Sequence, residues 1–287
     1  MVKNYSWNEV FEEFTSYLRD VKRRAEGTIK LYMGDLLGLL STKSFRDYAS
    51  LVEEIDKGVR LICENEDLKP NTKARKSSTV NTFLGFLKET GKIKEAPVYS
   101  YKRAERVSPA PITEEQFGDL MEGIPRTNYK SARDRAIFAL MFYTGIRESE
   151  TVKLEDKDFE AEEGKMYVNI TFGDSYKRRR LEVPKQAIRE IKAYKTLYST
   201  HPTRENKPSL ESETFFKNIR GKKISTRSVR RKLEKWTARA GVDASLMSLV
   251  YGYANRQISE GTTPKQLASL MGILPTQTRE LVELLKR

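Results

Sequence analysis

Apolar residues recur every three to four positions through most of this chain, and only between Lys165 and Pro184 does the period fall to two. A chain patterned in that way folds mainly into helices around one small β element, an α+β architecture dominated by helix. Trp7, Val10, Phe11, Phe14 and Leu18 lie on one helical face, and the spacing predicts further helices over 28–40, 51–64 and 72–90, the last stopping at Gly91. From Lys165, Met166, Val168, Ile170 and Phe172 alternate with polar neighbours. Gly173-Asp174-Ser175 then turns the chain back, which predicts a β-hairpin.

A length of 287 residues suggests about two domains of the common size near 150. The boundary falls at 97–111, where three prolines and Tyr101-Lys102-Arg103-Ala104-Glu105-Arg106 interrupt the periodicity and read as an extended basic linker. The expected domains are therefore 1–96, all helical, and 112–287. The second opens on a capping box, Thr113 with Gln116. Apolar helices are expected over 132–143, ending at Gly145, and from Ser225 or Thr226 onward with Val229, Leu233, Trp236 and Ala240 inward. Two more should cover 246–259 and 264–270, the latter behind a second box of Thr263 and Gln266, while 199–213 reads as a polar loop.

Charge restricts function further. The 53 Lys and Arg against 40 Asp and Glu leave +13, so a polyanion is the expected partner. No stretch approaches the roughly 18 apolar residues of a membrane span, and the first twelve residues lack an apolar leader core, so a cytoplasmic protein without a membrane partner is expected. One cysteine and one histidine, His201, cannot build a Cys/His metal site, and neither metal nor cofactor is expected. Ten cations crowd between Lys217 and Arg239 against the single acid Glu234; Lys222, Lys223, Arg227, Arg230, Arg231 and Lys235 are among them. Lys69, Lys73, Arg75 and Lys76 form a second cluster, Lys102 and Arg103 a third, and Lys177, Arg178, Arg179 and Arg180 a fourth. All of these are expected to contact DNA phosphates.

Tyr143-Thr-Gly-Ile-Arg147-Glu-Ser-Glu150, followed by Leu154 and Asp158, resembles the first arginine motif of the tyrosine recombinases, the Xer-type and phage-type integrases. The likeness runs on through the hairpin ending at Val183-Pro184, the basic helix, Ala240-Gly241-Val242 and the closing helices. It implies a SAM-like helical core-binding domain and a catalytic-fold domain forming a C-shaped clamp on DNA. In the family a tyrosine attacks the scissile phosphate, two arginines and a lysine stabilise the reaction, and histidines move protons. Arg147 matches the first arginine and Lys177, or Tyr176 one register away, the lysine.

Counting from Gly261 and from Leu270-Met-Gly-Ile273, the remaining positions depart from the pattern. Met247 and Tyr251 stand where histidines belong, Val250 at the second arginine, Ile273 at the last histidine and Val282 at the nucleophile. These departures lead to the expectation of a pseudo-recombinase, not an enzyme, that keeps the clamp and binds double-stranded DNA. Arg147 and Lys177 would survive as phosphate ligands, in replicon partitioning, chromosome organisation or regulation at the nucleoid. The alternatives are an active recombinase using Tyr251 or Tyr253, with Arg256 replacing an arginine, and a module that binds RNA or protein. The C-terminal helix, through Leu281, Val282, Leu284 and Leu285, would pack in cis or reach a second copy or a related recombinase.

Overall fold

The structure is a computed structural model, and the residues it describes are 5–39, 44–104, 108–171, 177–200 and 213–285. Two compact units divide the chain, Met1–Arg106 and Val107–Arg287. Among the described residues no helix is long and apolar enough to cross a membrane.

In the first unit the helices are α1 (Trp7–Ser16, extended by a π-helical turn, Tyr17–Val21), α2 (Glu26–Leu37), α3 (Tyr48–Glu64) and α4 (Pro70–Glu89). A two-residue ladder, β1 (Tyr5–Ser6) with β2 (Ser44–Phe45), joins the start of α1 to the chain leading into α3, where the sequence shows no strand periodicity. The apolar stripe of α1 buries Trp7, Val10, Phe11 and Phe14, and Phe14 packs edge-on to Phe83 of α4 at 5.0 Å between ring centroids. Asp47 and Ser50 cap α3 reciprocally, and Pro70 occupies the first turn of α4, where its missing N–H is no loss. Past Gly91, which takes the left-handed φ of +70°, the chain returns along α4. There the Asn81 amide donates to the Tyr99 carbonyl (2.7 Å) and accepts the Tyr99 N–H (2.9 Å), while the Tyr99 hydroxyl donates to Asp56. The first part of the segment read as an extended basic linker is thus tied to the helices that precede it.

The second unit contains α5 (Glu114–Glu122), α6 (Tyr129–Thr144), α7 (Glu148–Thr151), the strands β3 (Phe159–Glu162), β4 (Lys165–Ile170) and β5 (Arg179–Val183), then α8 (Lys185–Ser199), α9 (Thr226–Ala240), α10 (Leu246–Ser259), α11 (Pro264–Met271) and α12 (Pro275–Leu285). Helix α6 is buried on every side, so its apolar residues form no single stripe. Its polar residues are paired internally instead. Arg133 bonds Asp134, Asp134 accepts the Trp236 indole N–H at 3.1 Å, and Arg135 grips Glu190 of α8 through two hydrogen bonds. Burial pushes the Glu190 carboxyl up, but the bonds from Arg135 and Arg126 outweigh it and bring the pKa down to about 2.

The period-two segment forms β4 and β5 in antiparallel register, Val168 opposite Leu181 and Ile170 opposite Arg179, with Val168, Ile170, Leu181 and Val183 buried. The turn assigned to Gly173-Asp174-Ser175 lies outside the described residues, as does most of the 199–213 segment, His201 included. A third strand, β3, pairs with β4 and makes a sheet where the alternation alone predicts a hairpin. Helix α8, which the periodicity does not announce, buries Ala187, Ile191 and Tyr194 together with Glu190, whose charge interrupts the stripe. The tail packs in cis: Leu281 is buried in the unit's core, and Val282, Leu284 and Leu285 lie against it.

Candidate phosphate-binding site

Helix α6 must stop sharply for the site to exist. Gly145 ends it with φ +69°, and a side chain there would run into the Tyr253 ring, with Cβ 2.8 Å from Cε1, so only glycine fits. Ile146 is buried just beyond, and Arg147 becomes the N-cap residue of α7. The Glu150 carboxylate reaches back to accept the Arg147 backbone N–H at 2.9 Å.

That carboxylate also takes both ends of a second guanidinium. Arg179, first residue of β5, donates from Nη1 to Glu150 Oε1 at 2.8 Å and from Nη2 to Oε2 at 3.0 Å, a bidentate pair. Arg179 Nε donates to the Leu270 carbonyl at 2.7 Å and Nη1 to the Lys177 carbonyl at 2.8 Å. Gly272 leaves the room this needs, since a Cβ there would lie 2.7 Å from Nη1. Four separate stretches of sequence, at 147–150, 177–179, 253 and 270–272, therefore meet at one place. Burial pushes the Glu150 carboxyl up, but the Arg179 hydrogen bonds and the positive charges of Arg179 and Arg147 hold it below its ordinary value.

Arg147 differs from Arg179 in one decisive respect. Its side chain is 24% exposed against 6% for Arg179, and Nη1 approaches Glu150 only to 3.9 Å. The buried Arg179 satisfies the carboxylate and leaves the Arg147 guanidinium with donors available to an anion. Lys177 is half-buried on the same rim.

Two side chains read as surface cations are committed to partners within the protein. Arg179 is the buried half of the Glu150 pair. Lys73 is 6% exposed, with its ammonium on the Cys63 carbonyl at 2.7 Å and over the Tyr101 ring. Arg75 and Lys76 both turn toward the buried Asp35. Arg180 is exposed yet pairs with Glu160 and Glu162 and stacks on Tyr167. Lys69, Lys102, Arg103, Arg178, Lys222, Lys223, Arg227, Arg230, Arg231 and Lys235 are exposed. Of these, Arg230 is held to Glu148 at 3.4 Å and Lys235 lies over Trp236.

The departures from the recombinase pattern are also placed. Val250 is fully buried, and Met247, Tyr251, Ile273 and Val282 are half-buried against the same core. Tyr253 is 6% exposed, and burial pushes its hydroxyl up to about 12, a poor setting for a nucleophile. Tyr251 is the more accessible of the two. The Arg256 guanidinium bonds Glu114 at 2.6 Å and the Phe142 carbonyl at 3.0 Å. Among the described residues no group of three or more His, Cys, Asp or Glu is placed to hold a metal ion.

Arg147 thus stands partly exposed at the end of a buried helix beside a small sheet, braced by the buried Glu150–Arg179 pair. The phage integrase family profile matches residues 111–272, and the chain belongs to that family. It is 28% identical over 277 residues to the tyrosine recombinase XerC of Thermodesulfovibrio yellowstonii, covering 93% of this chain and 89% of that one. With the tyrosine recombinase XerA of Pyrococcus furiosus it shares 25% over 278 residues, 96% and 88% of the two chains. The fold is likewise that of XerH recombinase bound to difH DNA (TM-score 0.66, 17% identity, 96% and 80% coverage) and of the Tn1549 transposon integrase in complex with DNA (TM-score 0.67, 14% identity, 95% and 94% coverage).

The relatives overturn the expectation that this chain is no enzyme. Proteins that match more than nine-tenths of it are named tyrosine recombinases, so the departures at Met247, Val250, Ile273 and Val282 do not set it apart as a non-enzyme. Those positions follow from spacing relative to two glycines, and spacing fixes where a group is expected along the chain, not which groups the fold brings to the site.

Proposed function

We propose that this protein binds double-stranded DNA and acts on it as a divergent tyrosine recombinase, with Arg147 gripping the phosphate at the reaction centre. The observation that carries this reading is the Arg147–Glu150–Arg179 arrangement. A buried arginine neutralises the carboxylate, and a second arginine stands over it with open donors. Such preorganised donors stabilise charge as it develops on a phosphate without reorganising during the reaction. Lys177 lies on the rim as a candidate to protonate the leaving oxygen.

Tyr251 is the nucleophile this reading favours over Tyr253. It lies in α10 among the residues matched to the histidine–arginine motif, is half-buried and not enclosed, and has no hydrogen-bond partner among the described residues. Attack by its oxygen would form a 3′-phosphotyrosine and release a 5′-hydroxyl, conserving the bond energy for rejoining. A nicked suicide duplex that traps the intermediate is the test. The expected result is a denaturant-resistant protein–DNA adduct, abolished by Tyr251→Phe and retained by Tyr253→Phe. No adduct from the unaltered protein on any duplex it binds would refute the cleavage reading, and an adduct that survives Tyr251→Phe would refute the choice of tyrosine.

A further inference from the structure

Between the buried Phe215 and Phe216 and helix α9 the chain makes a tight excursion. Lys217 and Lys223 face each other as an antiparallel bridge, Gly221 donates to the Asn218 carbonyl at 3.1 Å, and Gly221 takes a left-handed φ of +71°. The Asn218 side chain fixes the turn from within: its carbonyl oxygen accepts the N–H groups of Arg220 and Lys222, and its amide donates to the Lys223 carbonyl. The base of the turn is bolted to the core. Lys217 donates its N–H to the Tyr194 hydroxyl, and its carbonyl accepts from Arg133.

At the tip stands Ile219, 55% exposed. Single exposed apolar residues are ordinary on protein surfaces, but this position is not an ordinary one. Turn tips favour Gly, Asn, Asp, Ser and Pro, and a β-branched residue gains nothing there locally. Arg220, Lys222 and Lys223 flank it, all exposed and, among the described residues, without ion pairs, and no acid lies between Lys217 and Arg231. A rigid apolar tip in a collar of cations is the form of a wedge that enters the minor groove and parts a base step while its collar holds the phosphates on either side.

We infer that Ile219 is a DNA-deforming wedge, inserted at a base step of the bound duplex and steadied by Arg220, Lys222 and Lys223. The inference rests on the duplex-binding reading above and adds a contact that reads DNA deformability as well as charge. The experiment uses the full chain with duplexes carrying 2-aminopurine at successive steps, followed by fluorescence and by anisotropy at several salt concentrations. With the unaltered protein, one step should brighten as its bases unstack. Ile219→Ala should abolish the brightening and weaken binding about 10- to 100-fold, the factor that burying an isoleucine side chain corresponds to, with the salt dependence unchanged. Ile219→Leu should keep both, whereas Lys222→Ala should reduce the salt dependence and leave the brightening in place. Tight duplex binding with no brightened step, or an Ile219→Ala protein that binds like the original, would overturn the wedge and leave the duplex-binding reading standing. Failure of the original protein to bind any duplex at low salt would overturn both.

Discussion

The complex with duplex DNA should weaken by about 10³- to 10⁵-fold as salt rises from about 50 to about 200 mM, the loss expected when six to ten phosphates are neutralised and their counterions released. Four exposed cations are expected to carry much of that loss. Lys222, Lys223, Arg227 and Arg231 are exposed and, among the described residues, free of ion pairs, and the 217–223 turn beneath the first two is pinned to Tyr194 and Arg133. Arg227 and Arg231 project from α9, whose other face is locked inward by Val229, Leu233 and Trp236. Changing these four together to glutamine should lower the slope of log affinity against log salt by about three to four, at roughly 0.9 for each phosphate deprived of its cation. Lys73→Gln should leave that slope alone, because its ammonium already serves the Cys63 carbonyl. An isothermal salt titration by anisotropy decides the matter, and a fourfold variant with the original slope would remove this face from the DNA interface.

Arg179→Met should destabilise the second unit by about 3–5 kcal/mol, the usual cost of stranding a buried charge by deleting its partner. Glu150 is 8% exposed and would lose both bonds from Arg179, keeping only the Arg147 N–H and a distant guanidinium. The double variant Arg179→Met with Glu150→Gln should recover most of the loss, since the stranded charge goes with it. Urea unfolding followed at Trp236, in a Trp7→Phe background, measures both. The pH dependence carries a sign of its own. With Arg179 in place the Glu150 pKa is depressed, so its contribution is present above the ordinary carboxylate range and fades as pH falls through the depressed value. Without Arg179, burial dominates and raises the carboxyl, so acidification from the raised value down to the ordinary carboxylate value should relieve the variant, while the original weakens only below the ordinary value. If Arg179→Met unfolds like the original at neutral pH, the pair is not the brace of the site.

Most of the helical scaffold was legible because its signals are local. The apolar stripe of α1, the boxes Thr113–Gln116 and Thr263–Gln266, and the left-handed stop at Gly145 each depend on residues a few positions apart, and the structure shows all of them. Helix α8 escaped because a buried Glu190, partnered from α6, sits in its inward face where an apolar residue would have completed the stripe. Strand β3 escaped because Phe159-Glu-Ala-Glu162 is short, and only its pairing with β4 makes it a strand. At the site, Arg147 and Glu150 stand in one motif and could be found by reading. Arg179 could not be told from Arg178 and Arg180 in a run of cations. Strand direction separates them: residues 178 and 180 face solvent, while 179 turns inward to Glu150 and needs Gly272 to clear its path. Lys73 shows the same limit, since a cation's burial depends on which carbonyl lies across from it.

The most direct measurement of the Arg147 grip is a scan in which one backbone phosphate of the bound duplex at a time is replaced by a neutral methylphosphonate. With the original protein, one position per bound protomer should lose affinity more than its neighbours in the central part of the footprint. With Arg147→Ala that position should become indifferent to the replacement while the flanking positions keep their penalties. A scan in which Arg147→Ala lowers the penalty evenly at every phosphate, or changes none of them, would contradict the account.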